Sequence, residues 1–194
     1  RRAAEGSSQG SSSSGACGGS VSPIILYTGI ECEKSTKLKL KNFDASLVDR
    51  LTRRVTHLVL EQRPRGQLKR TLKLLASLAA CPAEGGPKIV HEGWVQQCIK
   101  MGRVVDESDF IAKRTGLTES ALIRRARLEQ GLFSGMCIHV TKSVKPPPKD
   151  MRVIIESGGG KYAGTASALI KSKSNRLLVI ASEKDLSSLS ASAL

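Results

Sequence analysis

The sequence predicts an α/β protein in which small parallel sheets are flanked by helices. Short, nearly continuous apolar runs, such as residues 24–29 and 177–180, are typical of strands buried on both faces. Segments with helical spacing separate these runs, and this alternation favours parallel strands with helices packed on both sides. The 194 residues allow one domain or two small ones.

Five apolar runs are predicted to be strands. Each is short and contains two or more of the side chains Ile, Leu and Val, which pack well on a buried sheet. They cover residues 24–29, 56–60, 88–91, 136–141 and 177–180.

The helices are predicted from capping residues and apolar spacing. Asp44 is expected to cap a helix that carries Leu47, Val48 and Leu51. Three later segments show a helical pattern; Thr118 is a possible N-cap for the second, and Pro148 lies just before or at the start of the third. They cover residues 92–101, with Trp94, Val95 and Cys98 pointing inward, 117–130, and 150–157.

One further helix, at residues 69–78, is predicted to have a basic side. Leu72 and Leu75 lie on its apolar stripe, and Lys69, Arg70 and Lys73 are three or four residues apart on another side. The charged ends of these three side chains can converge on an anion. The same pattern is also typical of an ordinary solvated basic face.

The pattern of elements divides the chain into four parts. Residues 1–22 are rich in Gly, Ser and Ala and are predicted to be a disordered linker. Residues 23–113 form a first α/β unit, and 114–133 a connecting helix. Residues 134–194 repeat the strand and helix order in outline but lack a counterpart of the Trp94 segment, so the second unit is expected to be incomplete.

The composition favours a polyanionic partner. The formal net charge is +14, which suits nucleic acid, a phosphoprotein or an acidic membrane face. No apolar run is long enough to cross a bilayer, so a membrane partner is not expected. The six aromatic residues other than histidine are too few for a typical single-strand nucleic-acid binder, which stacks bases on aromatic rings. We expect an intracellular protein, located in the nucleus.

The residues indicate neither catalysis nor a cofactor. The five cysteines form no C-x-x-C pair and no zinc-ligand spacing, which suits reduced thiols. The three histidines lie within or beside apolar runs and are interpreted as structural. The sequence has no Ser/His/Asp set and no phosphate-cradling loop with a G-K-[ST] ending. We therefore expect no enzyme activity, no metal and no cofactor.

Several short motifs, taken in order, resemble tandem BRCT domains. In the first repeat they are Leu-Tyr-Thr-Gly at 26–29, Thr-His-Leu-Val at 56–59, Arg-Thr-x-Lys at 70–73 and Ile-Val-His-x-x-Trp-Val at 89–95. In the second they are Val-Thr-x-x-Val-x-Pro-Pro-Pro at 140–148, Gly-Gly-Gly-Lys-Tyr at 158–162 and Val-Ile-Ala-Ser-x-x-Asp at 179–185. The resemblance implies two small parallel sheets flanked by helices, the second truncated.

The resemblance also implies a function and a site. In such pairs the first repeat binds phosphoserine, so Thr28, Gly29 and Lys73 would bind the phosphate. Arg70 would contact the peptide backbone or a C-terminal carboxylate, and Pro146 would line the other wall of the groove. The implied partner is a phosphorylated protein in the DNA damage response, such as the C-terminal tail of a histone variant at DNA breaks.

Two alternatives remain open. A BRCT module could bind DNA directly through its basic surface, or it could be a non-catalytic part of a larger repair enzyme. The basic residues available for DNA are Arg63, Arg65, Lys142, Lys145, Lys149, Lys171, Lys173 and Arg176. The oligomeric state is left undetermined.

Overall fold

The structure is a computed structural model that describes residues 22–61, 69–111 and 128–186. Residues 1–21 of the predicted linker at 1–22 lie outside the described residues, as does most of the predicted connecting helix at 114–133. The described end of that segment, residues 128–133, is not helical, so this part of the prediction is wrong.

The first sheet is parallel throughout, as the apolar runs predicted. Its strands follow the order β2-β1-β3-β4, and β1 lies beside both β2 and β3. The side chains of β1 after its first residue and all those of β3 are buried, which explains why both runs are apolar. The strands are β1 (Ile24–Thr28), β2 (Ser46–Val48), β3 (His57–Leu60) and β4 (Lys88–His91).

Three helices cover the first sheet on its two faces. Helix α1 (Lys34–Leu40) and helix α3 (Gly93–Met101) share one core with Tyr27 and Val59. Helix α2 (Leu72–Ala79) packs on the other face through Leu74. Trp94 of α3 is fully buried, and its indole nitrogen donates to the Val105 carbonyl oxygen at 3.0 Å.

The prediction of a helix capped by Asp44 is wrong. Asp44 ends a short 3-10 turn (Lys41–Phe43) with a left-handed φ of 59°, and Leu47 and Val48 belong to β2. The helix precedes Asp44, since α1 ends at Leu40, whose side chain is buried. Asparagine and aspartate tolerate left-handed backbone, so Asp44 marks a turn here and not a helix start.

The second sheet is also parallel, with the order β6-β5-β7. Pro148 opens α4 at a position where a missing N–H does not matter, as predicted. The strand β6, immediately after the glycine run, was not predicted. The elements are β5 (Met136–Val140), α4 (Pro148–Ser157), β6 (Lys161–Ala163), α5 (Ala166–Ile170) and β7 (Arg176–Ile180), followed by a helical turn at 183–186.

Helices α2 and α4 pack against each other and join the two repeats. Ala76, Ala79 and Ile154 form the buried centre of this interface. At the C-terminal ends of the two helices, a Cβ built on Gly158 would lie 3.2 Å from the Ala79 Cβ. The Leu132 amide also donates to the Ala79 carbonyl oxygen at 3.0 Å. The two N-termini therefore lie together at the other end of the interface.

The strand β7 differs from its counterpart β3 in burial. Leu177, Leu178 and Val179 expose 48%, 46% and 52% of their surface, although Leu58 and Val59 expose none. Within the described residues, β7 is an outer strand of a three-stranded sheet, whereas β3 lies between β1 and β4. No helix in the described part of the chain is long and apolar enough to cross a membrane.

Candidate phosphate-binding site

Two threonine hydroxyls meet where β1 ends and α2 begins. Thr28 is the last residue of β1, and Thr71 is the N-cap of α2, whose side chain accepts a hydrogen bond from the Leu74 amide at 3.2 Å. The Thr28 and Thr71 hydroxyl oxygens lie 2.5 Å apart, and either can donate. The side chain of Thr28, a predicted site residue, is thus held by the helix cap.

Lys73 reaches the same strand end from the first turn of α2. Its ammonium donates to the Tyr27 carbonyl oxygen at 3.1 Å, immediately before Thr28. Its side chain is only half-buried, so its ammonium is not shut off from solvent. The structure therefore brings together Thr28 and Lys73, which are 45 residues apart in the sequence.

Gly29 follows Thr28 with a backbone φ of +82°, a region that glycine enters at little cost. A side chain at this position would be strained, although a Cβ would meet only the Lys69 Cβ at 3.8 Å. Gly29 is itself exposed. The chain thus turns away immediately after Thr28 and leaves backbone at the surface beside the hydroxyl pair.

Lys69 and Arg70 are placed differently from the prediction. Helix α2 starts at Leu72, so these two residues precede the N-cap and do not share a helical side with Lys73. Both are exposed. The reason is local: Thr71 is the N-cap, and its hydroxyl accepts from the Leu74 amide, so the helix begins only after Thr71. The three cations still lie within five residues, near the positive end of the α2 dipole.

Pro146 lies in the loop that leads into α4. Because α2 and α4 have their N-terminal ends on the same side, this loop and the Thr71–Lys73 segment share one end of the interface between the repeats. Leu72 and Met151, each in the first turn of its helix, pack against the same apolar cluster. Pro146 is half-buried.

A cavity of about 930 Å³ lies at the opposite end of the interface, near the C-terminal ends of α2 and α4. Its charged lining is of mixed sign, with Arg53, Glu84, Glu156 and Lys161. None of the predicted phosphate-binding residues lines it. Its size does not make it the better candidate, because acidic side chains oppose a phosphate and the cationic cluster lies at the other end.

The arrangement at the end of β1 is suited to an anion. It combines an ammonium, a hydroxyl pair and the first turn of a helix, all of which favour negative charge. Thr71 was not among the predicted site residues. Its signal was available, because a threonine immediately before an apolar helical run is a typical N-cap.

Comparisons with known families identify the class of protein. Residues 13–112 match the model of the Regulator of Ty1 transposition protein 107 BRCT domain, and residues 131–193 match the model of the BRCT domain. The chain therefore belongs to the BRCT family and carries two such domains in tandem. The expected fold class is confirmed.

Two known proteins are similar to this chain over most of its length. PAX-interacting protein 1 of Mus musculus is 25% identical over 182 residues, which cover 86% of this chain and 16% of the relative. Mediator of DNA damage checkpoint protein 1 of Homo sapiens is 29% identical over 149 residues, which cover 74% of this chain and 6% of the relative. The chain thus spans a small part of the length of these relatives.

Two solved structures share the fold. The BRCT5-BRCT6 domains of S. pombe Brc1 match with a TM-score of 0.61 and 25% identity, covering 84% of this chain and 78% of that one. Rtt107p, solved in complex with a phosphorylated histone, matches with a TM-score of 0.54 over 89% of this chain and 79% of that one. At 11% identity, the second likeness concerns the fold alone.

Proposed function

We propose that this chain binds phosphoserine peptides through its first BRCT repeat, as part of a nuclear protein of the DNA damage response. The observation that carries the proposal is the meeting of Thr28, Thr71 and Lys73 at the end of β1. The phosphate would accept hydrogen bonds from the Thr28 hydroxyl, the Gly29 amide and the Lys73 ammonium. The relatives named above support the cellular role.

The hydrogen bonds already present are compatible with a bound phosphate. An ammonium has three donors, so Lys73 can keep its bond to the Tyr27 carbonyl and still donate to the phosphate. The Leu74 amide donates to Thr71, which can donate to Thr28. The Thr28 proton is then directed to the ligand, and each bond in the chain polarises the next.

Phosphate contacts alone do not select a sequence, so the flanking contacts matter. A phosphate carries close to two charges, and each hydrogen bond to a charged group contributes about 1.5–3 kcal/mol. We assign Arg70 to the peptide backbone or C-terminal carboxylate, because its planar fork matches two carboxylate oxygens. Pro146 would form the facing wall. The ligand we propose is a phosphorylated histone tail; Rtt107p, whose fold this chain shares, is a BRCT protein solved with a phosphorylated histone.

The test is fluorescence polarisation with a labelled histone-tail peptide that ends three residues after the phosphoserine, and with its unphosphorylated form. We expect only the phosphorylated form to bind. Lys73→Met and Thr28→Val should each weaken binding roughly 10- to 100-fold, the loss of one charge-assisted hydrogen bond. Lys100→Met is the matched control, since Lys100 is exposed on α3, which packs on the other face of the sheet.

Two results would remove the proposal: equal binding of the two peptides, or a Lys73→Met variant that behaves like Lys100→Met. The finer assignment of Arg70 is tested by amidating the peptide C-terminus. The free carboxylate should bind more tightly to the parent protein, and Arg70→Gln should abolish this preference. A preference that survives in Arg70→Gln would refute the role of Arg70 and leave the phosphate site untouched.

Direct DNA binding is the competing function. The six basic residues of the second repeat that were considered for DNA are exposed: Lys142, Lys145, Lys149, Lys171, Lys173 and Arg176. Arg63 and Arg65, the other two basic residues considered for DNA, lie outside the described residues. Binding to a DNA duplex that falls steeply with salt and is unchanged by Thr28→Val would favour this alternative.

A further inference from the structure

The second repeat contains a threonine equivalent to Thr28. In β1, Tyr27 faces the core that includes α1, and Thr28 faces the α2 side. In β5, Val140 faces the core with Ile155 of α4, the first helix of its repeat. Because side chains alternate along a strand, Thr141 then points to the opposite face, as Thr28 does.

The helical turn after β7 repeats the pattern of the α2 N-terminus. The amides of Asp185 and Leu186 donate to the Ser182 carbonyl oxygen at 3.0 and 3.1 Å, so Ser182 has the position that Thr71 has at α2. A lysine follows two residues later in both repeats, Lys73 in the first and Lys184 in the second. The second repeat thus combines a strand-end threonine, a hydroxyl at a helix start and a lysine two residues on.

In the second repeat, an internal anion lies among these groups. The Asp185 carboxylate accepts hydrogen bonds from three hydroxyls: those of Thr141, of Ser143 at 2.7 Å and of Ser182 at 3.0 Å. It also accepts from the Ser143 amide at 3.2 Å. The first repeat has a threonine hydroxyl, Thr28, and a helix-cap hydroxyl, Thr71, at the positions of Thr141 and Ser182. The amides differ by one position, because Gly29 directly follows Thr28 whereas Ser143 is two residues after Thr141.

We propose that the Asp185 carboxylate occupies the second repeat's counterpart of the phosphate site and thereby closes it to external phosphate. One chain then takes up one phosphate, at Thr28, and the second repeat contributes only flanking surface. This inference rests on the phosphate site proposed at Thr28, but its test measures Thr141 and Ser143.

The charge state of Asp185 agrees with this arrangement. The hydrogen bonds from Thr141 and Ser143 hold the pKa of the Asp185 carboxyl well below its usual range. It is therefore a carboxylate at any pH at which a phosphopeptide would be bound. A charged oxygen pair with several donors is the nearest equivalent of a phosphate that a protein side chain can supply.

The experiment is a titration with inorganic phosphate, followed by the amide NMR signals of Thr141 and Ser143, with chloride at matched ionic strength as the reference. The first site is disabled by Thr28→Val and Lys73→Met. With Asp185 intact, we expect no saturable phosphate-dependent shift at Thr141 and Ser143. With Asp185→Ala added, we expect saturable shifts at both amides.

The proposal is overturned if the Asp185→Ala protein keeps a dispersed spectrum and its two amides do not respond. It is also overturned if they respond equally while Asp185 is present. That second result needs no substitution of Asp185, so it holds even if the variant fails to fold. Asp185→Asn, which keeps the size and removes the charge, serves if the alanine variant is unfolded. Failure of this test leaves binding at Thr28 and Lys73 unaffected, so the two proposals fail separately.

Discussion

His57, at the start of β3, is held by contacts on several sides. Its ring stacks on Trp94 with centroids 4.2 Å apart, and Nε2 lies 2.9 Å from a Glu107 carboxylate oxygen. Nδ1 lies 2.8 Å from the Thr56 hydroxyl, and Lys88 donates to the same Glu107 oxygen at 2.7 Å. A neutral imidazole that donates from Nε2 fits these partners, since the carboxylate can only accept. The histidine is structural, as the sequence indicated.

This arrangement predicts that acid destabilises the first repeat. Burial lowers the pKa of His57 below 6.5, although the hydrogen bond to Glu107 opposes the shift. The unfolded chain therefore binds more protons, and the stabilisation present above about pH 6.5 is lost as the pH falls through the folded pKa. Burial raises the pKa of Glu107, but hydrogen bonds from Lys88 and His57 outweigh it, so that pKa is lowered too. The stabilisation that the Glu107 carboxylate contributes is therefore also lost on acidification, at a lower pH than that of His57.

The measurement is the melting temperature of the parent protein and of His57→Gln between about pH 8 and about pH 5, the range in which histidine titrates. His57→Gln should be less stable at neutral pH, because it loses the stacked ring. Its melting temperature should fall less on acidification than that of the parent. Since burial also lowers the pKa of His91, only the difference between the two proteins is informative. Parallel pH curves would contradict the prediction.

The predicted site residues show where local pattern stops being informative. Thr28 and Lys73 are far apart in the chain, and nothing in either segment alone specifies their meeting. They were named through the resemblance to a family, and the roles given to them, to Gly29, Arg70 and Pro146 stay predictions until binding is measured. Thr71 could have been found from its capping position. Asp185 belongs to the motif at 179–185, but its contacts with Thr141 and Ser143 could not be found, since these two residues lie in a distant segment.

At the scale of elements, the sequence predicted the strands of four or five residues and missed the two strands of three residues. The runs that became β1, β3, β4, β5 and β7 are continuous and apolar. Strands β2 and β6 have three residues each, too few to show a period. Helix α1 was missed because its sequence, KSTKLKL, contains only two apolar residues and its cap makes no side-chain hydrogen bond. Pairing with a neighbouring strand, and not propensity, defines β2 and β6.

The different burial of β3 and β7 gives a matched pair of substitutions. Val59→Ala removes two methyl groups from a side chain with no exposed surface, and should cost about 2 kcal/mol through lost burial and a residual cavity. Val179→Ala makes the same change where 52% of the residue's surface is exposed, and should cost about 0.5 kcal/mol.

Chemical denaturation followed by circular dichroism compares the two variants. Trp94, the one tryptophan of the sequence, reports separately on the first repeat through its fluorescence. The free energy of unfolding should fall clearly for Val59→Ala and little for Val179→Ala. Equal losses would mean that β7 is as well covered as β3, against the observed exposure.

At the scale of the whole molecule, glycines allow the segment before β5 to lie against Gly158, at the place where both also meet Ala79 of the first repeat. A Cβ on Gly131 would lie 2.4 Å from the Gly158 carbonyl oxygen, and one on Gly158 would lie 2.6 Å from the Phe133 ring. The Phe133 amide donates to that same carbonyl at 2.8 Å. A side chain at Gly131 or Gly158 has no space here, so we predict that the glycine run at 158–160 matters for folding and not for binding.

Replacing Gly131 therefore tests whether the repeats must be packed together for peptide binding. In Gly131→Ala the new methyl group meets backbone that cannot rotate away, so overpacking should cost about 1–3 kcal/mol. The shift should also move the Pro146 loop relative to Lys73, and weaken peptide binding while leaving its dependence on phosphate intact. Gly164→Ala is the matched control, because nothing lies within 4 Å of a Cβ at that position. Melting temperature and fluorescence polarisation on both variants provide the comparison.

If Gly131→Ala matches Gly164→Ala in stability and affinity, the interface is not tightly packed at this point. If it loses stability but keeps full affinity, the first repeat binds the peptide without help from the second, and Pro146 has no part in the groove.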